Sequence, residues 1–314
     1  MKHALLGAAF AAALSVPAFA QDYTIMAPAN PGGGWDSTAR AMQEVMQAEG
    51  IAASVEVVNV PGAGGTVGLA QFAADSAGDP TKLIVGGYVM VGAILTNASP
   101  VTLADVTPIA RLTGDTEAIV VPAASDIQTL GDLVEKMKAD PGAVSWAGGS
   151  AGGVDHITVG LLAKAAGVDP TKINYVAFSG GGEAMAAILG NQVTAGISSI
   201  GEFSEQVKAG TMRLLAVSSA DRLPGVDAPT IKEAGFDVVV QNWRMVAAAP
   251  GLSDEQKAKV AADIEKLNAS AGWKAMLETK GWANTYLAGA EFDAQLAADT
   301  AATETVLRDI GLVK

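Results

Sequence analysis

An α/β fold in two lobes, joined by two passages of the chain, is what this sequence predicts. Three observations predict it. Short apolar stretches alternate with helical stretches from Tyr23 onward. Glycine-rich turns sit where a strand feeds a helix. A second strand–helix series begins after Val121, and a purely helical tail follows it. Alternation of this kind implies parallel sheets covered by helices on both faces.

The elements follow in order. Tyr23–Ala27 reads as a strand and Ser37–Glu49 as a helix; Ser54–Asn59 is a strand, Gly68–Ala74 a helix and Leu83–Val85 a strand. The second series runs from helix Leu130–Ala139 through strand Val144–Trp146, helix Asp155–Ala166 and strand Asn174–Val176. It continues with helix Met185–Leu189, strand Ala195–Ile197, helix Phe203–Ala209 and strand Leu214–Val217. In the tail, Ser253 and Gln256 form a capping-box pattern after Pro250-Gly251. Helices are expected around Ala271–Thr279 and Glu291–Ile310, the last stopped by Gly311. The tail shows no strand pattern, so it is expected to pack back on the first lobe. The chain then crosses between lobes near Glu117–Val121 and near Asn242–Ala248, a hinge pair of the kind that closes on ligands. The expected division is 21–121 with 245–314 as one lobe and 122–244 as the other.

The first twenty residues read as a signal peptide. Lys2 gives a positive start, Ala4 to Val16 is apolar, and Ala18-Phe19-Ala20 is a small-x-small cleavage site. The apolar run is too short to span a membrane, and no later run reaches about 18 residues. An exported, periplasmic protein is expected. The sequence has no cysteine, which excludes disulfides, thiol catalysis, cysteine-ligated zinc and a lipid-anchored cysteine after the cleavage site. The formal charge is −13, and loss of Lys2 makes it −14. Nucleic-acid binding is therefore not expected. The arginines are scattered, so an anion site has to rely on local dipoles.

Those dipoles have an obvious source. Pro31-Gly32-Gly33-Gly34-Trp35-Asp36, Pro61-Gly62-Ala63-Gly64-Gly65, Gly148-Gly149-Ser150-Ala151-Gly152-Gly153 and Ser179-Gly180-Gly181-Gly182 all precede a helix. A single glycine loop is most simply a turn. Four of them at the carboxyl ends of strands point instead to a ligand crevice. Helix N-termini hold anions through open backbone N–H groups, and glycine lets a ligand approach closely. A charge-assisted hydrogen bond contributes about 1.5–3 kcal/mol, and micromolar binding needs about −8 kcal/mol. A few such bonds suffice.

Other chemistries find less support. Gly148-Gly149-Ser150-Ala151-Gly152 matches the G-x-S-x-G nucleophile elbow, which would make Ser150 a hydrolase nucleophile. The triad histidine has to follow its acid, and the mature chain has only His156, six residues past Ser150. No Gly-Lys pair forms a P-loop, and no G-x-G-x-x-G follows the first strand. One histidine and scattered acids argue against a transition-metal site. No cofactor is expected. Trp35, Trp146 and Trp243 sit beside the loops or the second crossing and read first as core residues.

The ordered set of motifs resembles the periplasmic solute-binding proteins of tripartite tricarboxylate transporters. Pro31 to Asp36 with Ala39-Arg40 resembles that family's first ligand loop, and Asn59 to Gly68 its second. Ser150 to His156, Ser179 to Ala184 with Leu189 to Val193, and Asn242-Trp243-Arg244 resemble later segments. The resemblance implies a Venus-flytrap protein that captures a small organic carboxylate between lobes and delivers it to a two-subunit membrane permease. It implies ligand contacts at Gly33, Gly34, Trp35 and Asp36, at Gly64, Gly65 and Thr66, at Ser150, Gly153 and His156, and at Ser179 and Gly180. Trp35 stands where many relatives have a small hydroxyl residue, and Ser179 where many have a basic one. The Gly34-Trp35-Asp36 form is similar to the tricarboxylate branch, so citrate or a similar acid is the expected ligand. Arg244 is the candidate to replace the missing cation. The protein is expected to be a monomer and not an enzyme. A secreted hydrolase using Ser150 and a ligand-binding sensory adaptor are the alternatives.

Overall fold

The structure, a computed structural model, describes residues 21–178 and 181–314. The proposed signal peptide, Ser179 and Gly180 lie outside the described residues. In chain order the first part holds β1 (Gln21–Ala27), α1 (Gly34–Ala48), β2 (Ala52–Asn59), α2 (Thr66–Asp75), β3 (Lys82–Gly87) and α3 (Tyr88–Thr96). The long β4 (Thr107–Pro122) leads to α4 (Leu130–Ala139), β5 (Ser145–Gly148), α5 (Val154–Ala165), β6 (Asn174–Ala177) and α6 (Gly181–Leu189). Then come β7 (Ala195–Ser199), α7 (Ile200–Lys208), β8 (Met212–Val217) and β9 (Gln241–Ala248). The chain finishes with α8 (Asp254–Ala269), α9 (Ala271–Lys280), β10 (Ala283–Ala288) and α10 (Gly289–Asp309).

Two sheets share β4. Its first part, Thr107–Thr116, pairs antiparallel with β9, and residues 110–114 pair with β10 on the other side. This sheet continues from β9 to β3, β1 and β2, of which the last three are mutually parallel. From Glu117 onward β4 pairs antiparallel with β7 and β8. The second sheet extends through the parallel strands β5 and β6. The sheets are therefore mixed rather than parallel throughout. The expected parallel units are present, but the crossing strands β4 and β9 run antiparallel to their neighbours.

Each sheet has its own core. Ile25, Leu83, Ile84 and Val85 are fully buried in the first, as expected of strands covered on both faces. The Ala39, Met42, Val45 and Met46 stripe of α1 recurs at three- and four-residue spacing and buries against that sheet. Trp146, Ile197, Leu162 and Ile119 centre the second core. The tail supplies Ile264, Trp273 and Phe292 to the first core. It also contains β10, a strand not read from the sequence. The end of α10 leaves the first lobe, where Leu307 and Ile310 pack with Ile157 of α5. The tail thus touches both lobes.

Local signals explain the helix ends. Ser253 accepts the Gln256 N–H and donates its own N–H to the Gln256 side chain, the reciprocal pair read from sequence. Thr129 and Asp132 form the same device at α4, and Ser270 caps α9. Among the described residues no helix is long and apolar enough to cross a membrane.

Candidate functional site

A cleft of about 140 Å³ opens between the two sheets. The first lobe contributes Gly33, Gly34 and Trp35 at the start of α1 and the loop Pro61–Gly65. The second contributes Gly149, Ser150 and Gly153 to Asp155 before and in α5, with Ser198, Ser199 and Glu202 around the start of α7. Asn242 and Arg244 enter from the crossing strand β9.

The helices that start at this cleft lack side-chain caps. Gly33, Gly153 and Ser199 occupy the cap positions of α1, α5 and α7, and none makes a side-chain capping hydrogen bond. Away from the cleft, α4, α8 and α9 are capped by Thr129, Ser253 and Ser270, whereas α10 starts at Ala288 without a side-chain cap. The first N–H groups of a helix have no partner inside it. The donors differ from those the glycine pattern suggests. The amides of Gly33, Gly65 and Gly153 close tight turns onto Asn30, Gly62 and Ser150 carbonyls. Gly149 donates to Asp155 Oδ2 at 2.6 Å and Gly152 to His156 Nδ1 at 3.3 Å. Among the described residues no hydrogen bond uses the amides of Gly34, Trp35 or Val154, and all three residues line the cleft.

Glycine is required at only some of these positions. Gly65 has φ +91°, and a Cβ there would lie 2.7 Å from the Trp35 ring. At Gly34 a Cβ would lie 2.6 Å from Arg244 Nη2. At Gly33 it would meet Asn30 O at 3.4 Å, an ordinary contact.

The structure separates the expected residues into two groups. Gly33, Gly34, Trp35, Gly64, Gly65, Ser150 and Gly153 line the cleft. Asp36, Thr66 and His156 stand behind it. Asp36 accepts from Gly32 N–H, Arg40 Nε and Asn59 Nδ2, tying the first loop to β2. These donors hold its carboxyl below the usual range, although burial opposes them. Thr66 donates its hydroxyl to Ala63 O. His156 stacks on Tyr175 with ring centroids 4.0 Å apart, and burial lowers its pKa to about 4. Among the described residues no hydrogen bond joins Ser150 to His156, so the hydrolase arrangement is absent there. Of the three tryptophans, Trp146 is core, Trp243 stacks on Tyr88 and Trp35 lines the cleft.

The charged residues of the cleft come from distant parts of the chain. Arg244 is 3% exposed. Its Nη2 donates to Asp115 Oδ2 at 3.1 Å and Ser199 Oγ at 3.4 Å, and its guanidinium lies over the Trp282 ring. Its Nη1 is buried and has no protein partner. Asp155 and Glu202 also line the cleft, and Glu117 is wholly buried beside Asp155. Burial raises the pKa of all three acids; the Asp155 and Asp115 carboxylates push Glu117 further up. Sequence reading singled out Arg244 but not Asp155 or Glu202, whose first-turn positions look like ordinary dipole partners. The described residues contain no cluster suited to a metal ion.

Known proteins share this sequence pattern and this fold. Residues 38–312 match the family described as "Tripartite tricarboxylate transporter family receptor". Protein BugT of Bordetella pertussis (strain Tohama I) is 30% identical over 251 residues, covering 76% of each chain. The structure of the periplasmic binding protein BugD superposes with a TM-score of 0.83 at 21% identity, covering 94% of this chain and 99% of that one. MatC from Rhodopseudomonas palustris, solved with bound malate, gives 0.73 at 24% identity, covering 94% and 97%. With the family match running through both lobes, the chain belongs to the tripartite tricarboxylate transporter receptors, periplasmic solute-binding proteins that are not enzymes.

Proposed function

We propose that this protein captures a small organic carboxylate in the interlobe cleft, closes on it, and hands it to a two-subunit membrane permease. One observation carries the reading. Gly34 and Trp35, whose amides are unused among the described residues, line the same small cleft as Arg244, whose Nη1 is buried without a protein partner. A guanidinium nitrogen buried without an acceptor is costly unless a ligand supplies one. The malate bound to MatC supports the same ligand class. Asp36 and Thr66 act as braces for the two loops in this reading, and Ser150 and Gly153 close the cleft from the other side. Ser179 and Gly180 remain candidates from the resemblance alone.

Closure is proposed at the two crossings. There β4 exchanges one sheet for the other at Thr116–Glu117, and the chain joins β9 at Gln241. Lobe boundaries at 121/122 and 244/245 belong to this proposal. Export by cleavage after Ala20 and action as a monomer belong to it too. Citrate is the tricarboxylate to test, although one guanidinium among several acids favours a ligand of lower charge. Titration calorimetry of the purified protein with di- and tricarboxylates is expected to find at least one micromolar ligand. Failure of every acid, with binding of a neutral sugar, would overturn the reading.

A further inference from the structure

Trp282 lies far from the glycine loops in sequence, in the tail that was expected only to pack back on the first lobe. It is buried and belongs to the first core, so a plain core residue is its simplest role. Its place in the fold gives it another. Helix α9 stops at Gly281, whose φ of +67° favours glycine, and the Trp282 N–H donates to Leu277 O at 2.9 Å. The next residue, Ala283, starts β10 opposite Gly114 of β4. On β4, Thr113 pairs with Asn284 of β10 and with Arg244 of β9. This register brings the tail beside Arg244, whose Cζ lies over the Trp282 ring, 5.2 Å from its centroid.

Arg244 needs that support. Among the described residues its guanidinium hydrogen bonds all run from Nη2, to Asp115 Oδ2 and Ser199 Oγ. A bidentate fork would fix the plane of the group. Bonds from one nitrogen leave it free to turn about that nitrogen. Two other contacts restrain it. A cation within about 6 Å of a tryptophan ring is attracted to its face, and more strongly out of water. Gly34 supplies the second contact. A Cβ there would lie 2.6 Å from Nη2 and 3.2 Å from both Cζ and Nε, so only a bare Cα leaves room for the group. Gly34 and Arg244 both line the cleft, and Nη1 stays buried without a protein partner. A buried donor left without an acceptor is costly unless something else supplies one.

We propose that Trp282 is a positioning residue of the ligand site: its ring holds the Arg244 guanidinium in the plane that leaves Nη1 to a ligand carboxylate. This role rests on the carboxylate reading and adds the tail to the binding machinery. Trp282 does not itself line the cleft, so it acts through Arg244. What the role requires is an aromatic face, because arginine stacks on one and an aliphatic side chain offers none.

The test is titration calorimetry on the purified protein with succinate, malate and citrate as probes. For the tightest of them, Trp282→Leu is expected to weaken binding about tenfold or more, and Trp282→Phe by no more than about threefold. Trp273, fully buried in the same core on α9, is the control. Trp273→Leu is expected to lower the unfolding midpoint while the folded protein keeps its affinity within about twofold. Circular dichroism checks that each variant is folded, and Trp282→Met stands in where Trp282→Leu does not fold. A readout without ligand compares urea midpoints of the wild type, Trp282→Leu, Arg244→Lys and the double variant. The shifts are expected to be non-additive, because each substitution removes the same stacking. Additive shifts overturn the role. So does a folded Trp282→Leu that binds like the wild type, a Trp282→Phe that loses as much as Trp282→Leu, or an equal loss in Trp273→Leu. These results leave a carboxylate receptor in place. Failure of every acid to bind the wild type overturns the carboxylate reading and this role together.

Discussion

Gly65 is one of the cleft-loop glycines that both the backbone and the packing constrain. Its φ of +91° favours glycine, and its missing Cβ leaves room for the Trp35 ring. Gly65→Ala should therefore cost about 1–3 kcal/mol in strain and displace Trp35, weakening ligand binding. Gly33→Ala, with φ −75° and no close contact, should do neither. Chemical denaturation and calorimetry on both variants check the contrast. His156 sets a second expectation at this scale. Burial lowers its pKa from 6.5 to about 4, so the fold holds the neutral ring. Its contribution to stability is complete above pH 6.5, falls as the pH drops toward 4, and is flat below that. The span corresponds to at most about 3 kcal/mol. His156→Gln should flatten this part of the stability–pH curve, read from urea midpoints across the window. Glycine loops were legible in the sequence because a glycine run before a helix is a local pattern. The acids of the cleft and Arg244 were not legible as one site. Asp115 and Arg244 meet across 129 residues of chain, and no local spacing encodes that meeting.

The elements that were easiest to read are those with the strongest local rules. Helix α4 runs Leu130–Ala139 as expected, because Thr129 and Asp132 fix its start. The parallel strands β1 to β3 and β5 to β7 were visible as apolar runs before glycine turns. β4 and β9 were read as crossings rather than as strands. Each carries polar residues, Asp115 and Glu117 in one and Asn242 and Arg244 in the other, at the places where it serves the cleft. β10 reads as Ala-Asn-Thr-Tyr-Leu-Ala, with little apolar alternation, and pairs only at the sheet edge. Helix α3 begins directly after Gly87, without a polar cap to announce it. Among the core strands, β5 gives a direct energetic test. Trp146 is fully buried at the centre of the second core. Trp146→Ala should destabilise the protein by about 3–5 kcal/mol, seen as an earlier unfolding midpoint in guanidinium.

At the scale of the whole molecule, several contacts join the lobes. β4 and the segment before β9 cross between the sheets, and the end of α10 reaches across to α5. There Gly160 leaves space for Ile310, and Lys164 pairs with Asp309. Close to the cleft, Gly92 of α3 lies against the Gly152 carbonyl, where any Cβ would collide. Ile310→Ala removes part of the apolar contact of the tail with α5, which Leu307 shares. It should cost about 2–4 kcal/mol and lower the thermal midpoint by several degrees, measurable by scanning calorimetry. The two-lobed plan followed from the sequence because the strand–helix series restarts after Val121. The bridging role of the tail did not, because a polar-faced helix does not reveal which lobe its buried stripe meets.

A crystal structure with a bound carboxylate tests the central claim most directly. The account predicts one ligand carboxylate oxygen within hydrogen-bond distance of the Gly34 or Trp35 amide and another within reach of Arg244 Nη1. A ligand seated elsewhere, or held in the cleft with those three donors facing solvent, would contradict it.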